Sequence, residues 1–269
     1  MDYKEAILYY DAKTGLYKRR MDGFCKFSPA YTISNEFLNA AMGTLKPQGK
    51  SVLTVAGSGD QPFFYKIYGA SHVDTFDISY CAKVVMDVKT AAVQNLNHNE
   101  YKKFLDSIGT ASVHIPDVQN YDRISSGLSQ DVKDFMNLMK GLKYRLNSGY
   151  NFNMPTSEQY QKLQRSINKP CDFIWSDVMS LSGHLTRKYD QMYLSNIFQY
   201  NCDTDKTIKL VKDLLPSLND GGEIMLYVTP WLKDEELNVL KQVEKSLQKF
   251  IKIGCAKDST QQIIIVKKL

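Results

Sequence analysis

The chain has 269 residues, 43% hydrophobic and 23% charged, enough for one large α/β domain with a substantial core, or for one domain carrying an insertion. No apolar run approaches the roughly 18–20 residues of a membrane span, and Asp2, Lys4 and Glu5 spoil any signal-peptide layout, so a cytoplasmic protein with no transmembrane segment is expected. Net charge is +5, compatible with an anionic partner, but the lysines are spread and not interleaved with aromatics, which leaves nucleic-acid binding open without supporting it; the 5 cysteines include no C-x-x-C pair and the 4 histidines do not cluster, so neither a metal site nor a redox pair has support.

Residues 1–32, rich in tyrosine and mixed charge, read as an extension able to cover a site, with Tyr31 either closing over a ligand or simply packing. Ser34 is placed to cap a helix with Glu36 in its first turn and Phe37, Leu38, Ala41 and Met42 on an apolar face, ending near Gly43. After a Pro47–Gly49 turn, the β-branched run Ser51 to Ala56 predicts a strand, followed at once by Gly57-Ser58-Gly59-Asp60. A short helix over Phe63 to Tyr68, a stop at Gly69 and a second strand, Val73 to Ile78, lead to a long helix over Tyr80 to Leu96. Its buried face is expected to hold Val84, Val85, Val88, Ala92 and Leu96.

Residues 109–150 break the alternation. They read as a helical insertion, packed on the main domain or lying over the site as a lid, with Ser129 capping a helix that ends by Gly149. Alternation resumes with a helix from Ser157 to Ile167, strands from Cys171 to Val178 and Asp190 to Phe198, and a helix from Thr204 to Leu218. An Asn219-Asp220-Gly221-Gly222 turn, a strand from Glu223 to Thr229 and a helix from Lys233 to Gln248 follow. Strands Ile251 to Ala256 and Gln262 to Lys267 are close enough to form a hairpin, so one of them must run antiparallel. The expected fold is α/β: a Rossmann-like, doubly wound, mostly parallel seven-stranded sheet with an antiparallel C-terminal strand and a helical insertion. Residues 1–45 form the extension and first helix, and residues 46–269 the binding domain.

A glycine turn after the first strand lets a ligand approach bare backbone, and an acidic residue ending the second strand can accept hydrogen bonds from both ribose hydroxyls. Asp77 follows Gly57 by 20 residues, the separation expected for that pair of roles. The alternative is a plain tight turn and a surface aspartate. A dinucleotide fingerprint would want a third glycine where Pro62 stands, and no Gly-x-x-x-x-Gly-Lys-Ser/Thr run is present.

The stretch from Val52 to Ser79, VLTVAGSGDQPFFYKIYGASHVDTFDIS, resembles the first two motifs of class I S-adenosylmethionine-dependent methyltransferases. Cys171 to Val178 resembles the third motif and Tyr189 to Tyr200 the fourth, while LLPSLNDGG is similar to the segment preceding the fifth strand. The resemblance covers about residues 33–108 and 155–269. It implies S-adenosyl-L-methionine as cofactor, with Ala56, Gly57, Ser58 and Gly59 near its amino-acid moiety, Asp77, Ile78 and Ser79 at the ribose, and Asp177 near adenine. Asp177 has a second reading as the cap of a helix after its strand. Ser195 and Asn196 fall where the acceptor usually lies and are the candidate catalytic residues, with ordinary turn chemistry as the alternative; His184 or Asp190 are the candidate bases if one is needed.

Within the superfamily, Val52 to Leu96, with Lys89, Ala91 and Ala92, resembles the betaine-lipid synthase group, which transfers a 3-amino-3-carboxypropyl group. Two departures stand out. Thr54 occupies a place where many methyltransferases carry an acid, and Ser195-Asn196-Ile197-Phe198 lacks the prolines of nucleic-acid amino-methyltransferases. The expected function is methyl transfer to an unidentified acceptor, a small molecule or lipid in preference to nucleic acid. The alternatives are aminocarboxypropyl transfer and non-catalytic cofactor binding.

Overall fold

Ser51–Val55 (β1) alternates its side chains across a sheet that is covered on both faces, which is why an unbroken apolar and β-branched run suits it. In the computed structural model the described residues are 10–11, 16–17, 32–109, 120–141, 153–168, 170–200, 203–228, 233–257 and 262–269. Tyr10–Asp11 and Leu16–Tyr17 pair as a small antiparallel ribbon. The other strands are β2 (His72–Asp77), β3 (Asp172–Trp175), β4 (Tyr189–Tyr193), β5 (Leu218–Val228), β6 (Ile251–Lys257) and β7 (Gln262–Lys268). They form one 7-stranded sheet in the order β3-β2-β1-β4-β5-β7-β6.

All neighbours are parallel except those of β7, which runs antiparallel to β5 and to β6. The link between β6 and β7 is too short for a parallel crossover, so the reversal is dictated locally. The expected Rossmann-like, doubly wound sheet with its reversed C-terminal strand is thus the observed one.

Val52, Val73, Tyr193, Met225, Tyr227 and Ile263 pack under α1 (Leu38–Leu45) and α2 (Asp60–Ile67). Leu53, Val55, Phe76, Met192, Ile224, Leu226 and Ile264 face the other way. There they meet Val211 and Leu214 of α9 (Thr204–Leu214) and Leu240, Val243 and Leu247 of α10 (Asp234–Leu247). Each fully buried aliphatic side chain contributes roughly 1.5–3 kcal/mol, and this two-sided burial outweighs the weak propensity of any single strand.

A further core surrounds α3 (Tyr80–Asn95), with all five expected apolar positions buried. Around it lie α4 (His98–Gly109), α5 (Tyr121–Ser125), α6 (Gln130–Gly141) and α7 (Ser157–Ser166). In α6, Val132, Phe135 and Met136 join that core, so this part of the insertion packs on α3. Residues 110–119 and 142–150 of the insertion lie outside the described residues, as does the expected end of its helix near Gly149.

Several boundaries differ from those expected. The first helix starts at Leu38, because Ser34 and Glu36 spend their groups on distant partners. Strand β4 stops at Tyr193; Ser195 adopts φ 55, and Ile197–Tyr200 (α8) turns helical. Strand β3 stops at Trp175 and a 3-10 segment, Val178–His184, follows, while α9 ends at Leu214 and passes through another, Leu215–Ser217. Asn219 to Gly222 fall within the span of β5, where the register with β4 shifts between Tyr189 and Gln191.

The neighbours of β1 are β2 on one side and β4 on the other, so the strand order reverses there. In such sheets the loops at the carboxyl ends of the two central strands diverge and leave a ligand crevice. The glycine turn after β1 and Ser195-Asn196 after β4 border that crevice.

Candidate functional site

The turn leaving β1 needs its glycines. Gly57 has φ 49 and Gly59 φ 80, and a Cβ on Gly59 would stand 3.0 Å from the Met86 Cα, inside α3. A Cβ on Gly57 would meet only the end of Gln61, at 3.2 Å from Oε1. Ala56 is fully buried, and its carbonyl accepts the Gly59 N–H at 2.7 Å.

Asp60 ties this turn down. Its Oδ2 accepts the Ser34 N–H at 2.7 Å and the Ser58 hydroxyl at 2.9 Å, while its Oδ1 receives Lys89 Nζ at 2.5 Å. Lys89 is fully buried within α3, and that burial lowers its pKa against the opposing attraction of Asp60. Turn, N-terminal segment and α3 thus converge on one carboxylate.

Asp77 points at the turn. Its Oδ2 accepts the Gly57 N–H at 3.0 Å and its Oδ1 the Ser79 N–H at 2.8 Å. Burial pushes its pKa up to about 6, opposed by the backbone N–H groups of Ser79, Gly57 and Ile78. An ionised carboxylate offers about four lone-pair positions, so with three backbone donors in place one remains for a donor from a ligand. Ile78 presents its carbonyl to Trp175 Nε1 at 2.9 Å, and Ser79 precedes α3 without capping it through its side chain.

Tyr80, the first residue of α3, donates to Asp131 Oδ2 of α6 at 2.5 Å and packs against Trp175 and Phe135. The insertion therefore docks beside the loop that follows β2. Asp177 lies just beyond β3, exposed, with its Oδ1 accepting the Met179 N–H at 2.8 Å. It caps the 3-10 segment, the second of its two readings.

At the end of β4 the arrangement was not legible in the sequence. Glu36, 1% exposed, reaches in from the segment before α1. Its Oε1 accepts a short hydrogen bond from the Ser195 hydroxyl and its Oε2 accepts Tyr193 OH at 2.8 Å. Burial raises the Glu36 pKa, opposed by hydrogen bonds from Ser195, Tyr193 and Gln61. Ser195 also contacts Asn196 Oδ1 at 3.4 Å, and its carbonyl accepts the Tyr227 N–H at 2.8 Å. Its left-handed backbone is uncommon for a non-glycine residue and is held by these partners.

The candidate bases lie elsewhere. Asp190 is the second residue of β4, and its carboxylate accepts the Ser51 N–H at 2.8 Å and Asn219 Nδ2 at 2.7 Å, so it braces the amino ends of β1, β4 and β5, away from the crevice. His184 is exposed at the end of the 3-10 segment. Tyr31 lies outside the described residues. Among the described residues no group of three or more His, Cys, Asp or Glu could hold a metal ion, and no helix is long and apolar enough to cross a membrane.

No protein-family profile matches the chain, and no curated protein matches it. Among solved structures it is similar to the ribosomal protein L11 methylase of Lactobacillus delbrueckii subsp. bulgaricus, with TM-score 0.44 and 11% identity, covering 86% of this chain and 76% of that one. It is similar to the N-methyltransferase NodS of Bradyrhizobium japonicum in complex with S-adenosyl-L-homocysteine, with TM-score 0.44 and 8% identity, covering 87% and 89% of the two chains. The magnesium protoporphyrin IX methyltransferase of Synechocystis with bound S-adenosylmethionine gives TM-score 0.38 and 12% identity, covering 86% and 76%.

Proposed function

We propose that the chain binds S-adenosyl-L-methionine in the crevice between β1 and β4 and transfers its methyl group to an acceptor lying near Ser195 and Asn196. The observation that carries this reading is the Asp77 carboxylate turned onto the Gly57 N–H at 3.0 Å, at the point where strand order reverses. A carboxylate with a lone-pair position to spare at the end of the second strand suits a ribose hydroxyl, and bare glycine backbone beside it suits close approach of the amino-acid portion.

When bound, the cofactor supplies an electrophilic sulfonium carbon. The protein's own contribution is positional. Asp77 fixes the ribose, Ala56 to Gly59 line the path of the amino-acid chain, and Ser195 and Asn196 border the space for a nucleophile to align with one S–C bond. On this reading Asp177 meets the adenine through Oδ2 while its Oδ1 caps the 3-10 segment. Lysines dispersed along the sequence favour a small-molecule or lipid acceptor over nucleic acid.

Calorimetry with S-adenosyl-L-methionine tests the binding, and product identification tests the reaction. S-adenosyl-L-homocysteine marks methyl transfer, methylthioadenosine marks aminocarboxypropyl transfer, and unchanged cofactor marks a non-catalytic binder. Wild-type protein with no affinity for either the cofactor or its homocysteine product refutes the proposal.

A further inference from the structure

We propose that the end of the sheet where β6 begins and β7 finishes is a docking surface for an anionic lipid bilayer. Phe250 enters the head-group layer there, and Lys249, Lys252 and Lys267 meet lipid phosphates. The inference does not depend on what the crevice binds.

Three observations carry it. Among the described residues three large apolar side chains are exposed, and the two most exposed, Phe250 at 58% and Leu269 at 65%, are neighbours. Phe250 precedes β6, Leu269 follows β7, and the Leu269 N–H donates to the Phe250 carbonyl at 2.9 Å. Apolar side chains exposed singly are ordinary on a protein surface, whereas an adjoining pair flanked by lysines has the make-up of an interfacial contact.

The second observation is charge. Lys252 and Lys267 stand directly opposite each other in the antiparallel pair, so they project from the same face. Both are exposed, as is Lys249 beside Phe250, and among the described residues none of the three pairs with a carboxylate. Glu223, across from Lys267 on β5, is engaged with Lys50 at 3.9 Å and Gln191 at 3.4 Å. Lys268, by contrast, is held by the Leu218 carbonyl at 2.9 Å and by Asp220 at 3.4 Å. Like charges directly opposite repel, so an anionic partner relieves a repulsion that the folded chain leaves in place.

The third is position. Strand β6 is the outer strand of the sheet, and its start lies at the amino end of β5, opposite the crevice. A Cβ on Gly254, two residues beyond Lys252 on the same face, would meet nothing within 4 Å, so that face of the strand is open. A bilayer bound here leaves the crevice turned to the solution.

A bilayer surface suits this set of groups better than its rivals. Lysine ammonium groups stay at the phosphates while apolar side chains beside them enter the head-group layer. A second copy of the chain would set lysines against lysines. Strand addition along β6 would meet Glu244, whose Oε1 already accepts the Ile253 N–H at 3.0 Å. Single-stranded RNA binds on a row of aromatic rings, and Phe250 offers one ring while Leu269 offers none.

The test is co-sedimentation of the full chain with vesicles of phosphatidylcholine alone, or of phosphatidylcholine with about a third phosphatidylserine. Binding is expected to the anionic vesicles only, weakening as salt is raised. Lys252→Gln with Lys267→Gln should lower that affinity about 25-fold, at roughly fivefold per lysine near an anionic surface. Lys102→Gln with Lys103→Gln removes the same charge from α4 and should lower it less than about twofold. Phe250→Ser should weaken binding about tenfold. Phe250→Trp should keep it, with fluorescence that shifts to the blue on the vesicles, and circular dichroism confirms that the variants fold. Equal binding to both kinds of vesicle, binding to neither, equal losses in the two double-lysine variants, or an unshifted Phe250→Trp spectrum overturns the inference. So does polyuridylate binding that Lys252→Gln with Lys267→Gln abolishes while vesicles are left unbound.

Discussion

Lys89 Nζ lies 2.5 Å from Asp60 Oδ1, with the lysine fully buried in α3 and the aspartate 5% exposed at the start of α2. The pair joins the helix after β2 to the turn after β1, and Asp60 extends the link to the Ser34 backbone. Removing one member of a buried pair strands the other, at a cost of about 3–5 kcal/mol. Lys89→Met is therefore expected to lower the free energy of unfolding by about 3 kcal/mol in urea titrations. The double variant Lys89→Met with Asp60→Asn should recover part of that stability, because no charge is left unpaired. Losses that simply add would show that the two side chains act independently.

Asp77 makes ligand binding depend on pH. Its folded pKa, about 6, lies above the ordinary carboxylate value of 3.8. Between those two values the native protein holds a proton that the unfolded chain has lost, so this group's contribution to stability falls as pH rises through that window. Binding runs the opposite way, since ribose hydroxyls donate to the ionised carboxylate. Affinity for S-adenosyl-L-homocysteine should weaken about tenfold between about pH 7.5 and pH 5, with proton release on binding in the acidic range. Asp77→Ala should bind weakly and with little pH dependence. Calorimetry in two buffers of different ionisation enthalpy reads both quantities.

The two glycines of the turn should respond differently to alanine. At Gly59, φ 80 and the 3.0 Å approach to the Met86 Cα act together, and the obstacle is helix backbone. Gly59→Ala is expected to destabilise the fold by about 2–4 kcal/mol. At Gly57 the obstacle is the movable end of Gln61. Gly57→Ala should cost only about 1 kcal/mol of stability and show its main effect as weaker ligand binding. Thermal melts and calorimetry on the two variants separate the effects.

Glu36 is expected to cost stability in the ligand-free protein at neutral pH, because its raised pKa reflects an unneutralised buried charge. As pH falls towards the raised value this penalty disappears. Glu36→Gln should melt at the same temperature as wild type or higher at neutral pH, and the difference should shrink in acid. Glu36→Ala removes the acceptor for Ser195 and Tyr193 and should destabilise by about 2 kcal/mol. A Glu36→Gln variant that melts well below wild type would contradict this account.

Local pattern was enough for most of the fold. Ser51 to Ala56 followed by Gly57-Ser58-Gly59, and the spacing to Asp77, are properties of a short stretch, and their hydrogen-bonded meeting follows from one β–α–β crossover between adjacent parallel strands. The reversed strand β7 was legible for the same reason, since a hairpin link leaves no other geometry. Boundaries went astray where a residue's partner is remote. Ser34 has the composition of a helix cap, but its N–H goes to Asp60 and its hydroxyl receives the N–H of Glu36 and the amide of Gln61.

What the sequence determined by itself is therefore the mostly parallel sheet with its reversed C-terminal strand, and the glycine turn with its facing carboxylate, because each arises from contacts between neighbouring elements. Only the tertiary structure decided the rest of the site: Lys89 under the turn, Asp190 at the far end of the sheet, and Glu36 beside Ser195, 159 residues away in sequence. Periodicity and propensity describe how a segment buries itself. They carry no information on which remote hydroxyl or amide a buried carboxylate will meet, and that choice is made only when the cores on the two faces of the sheet close.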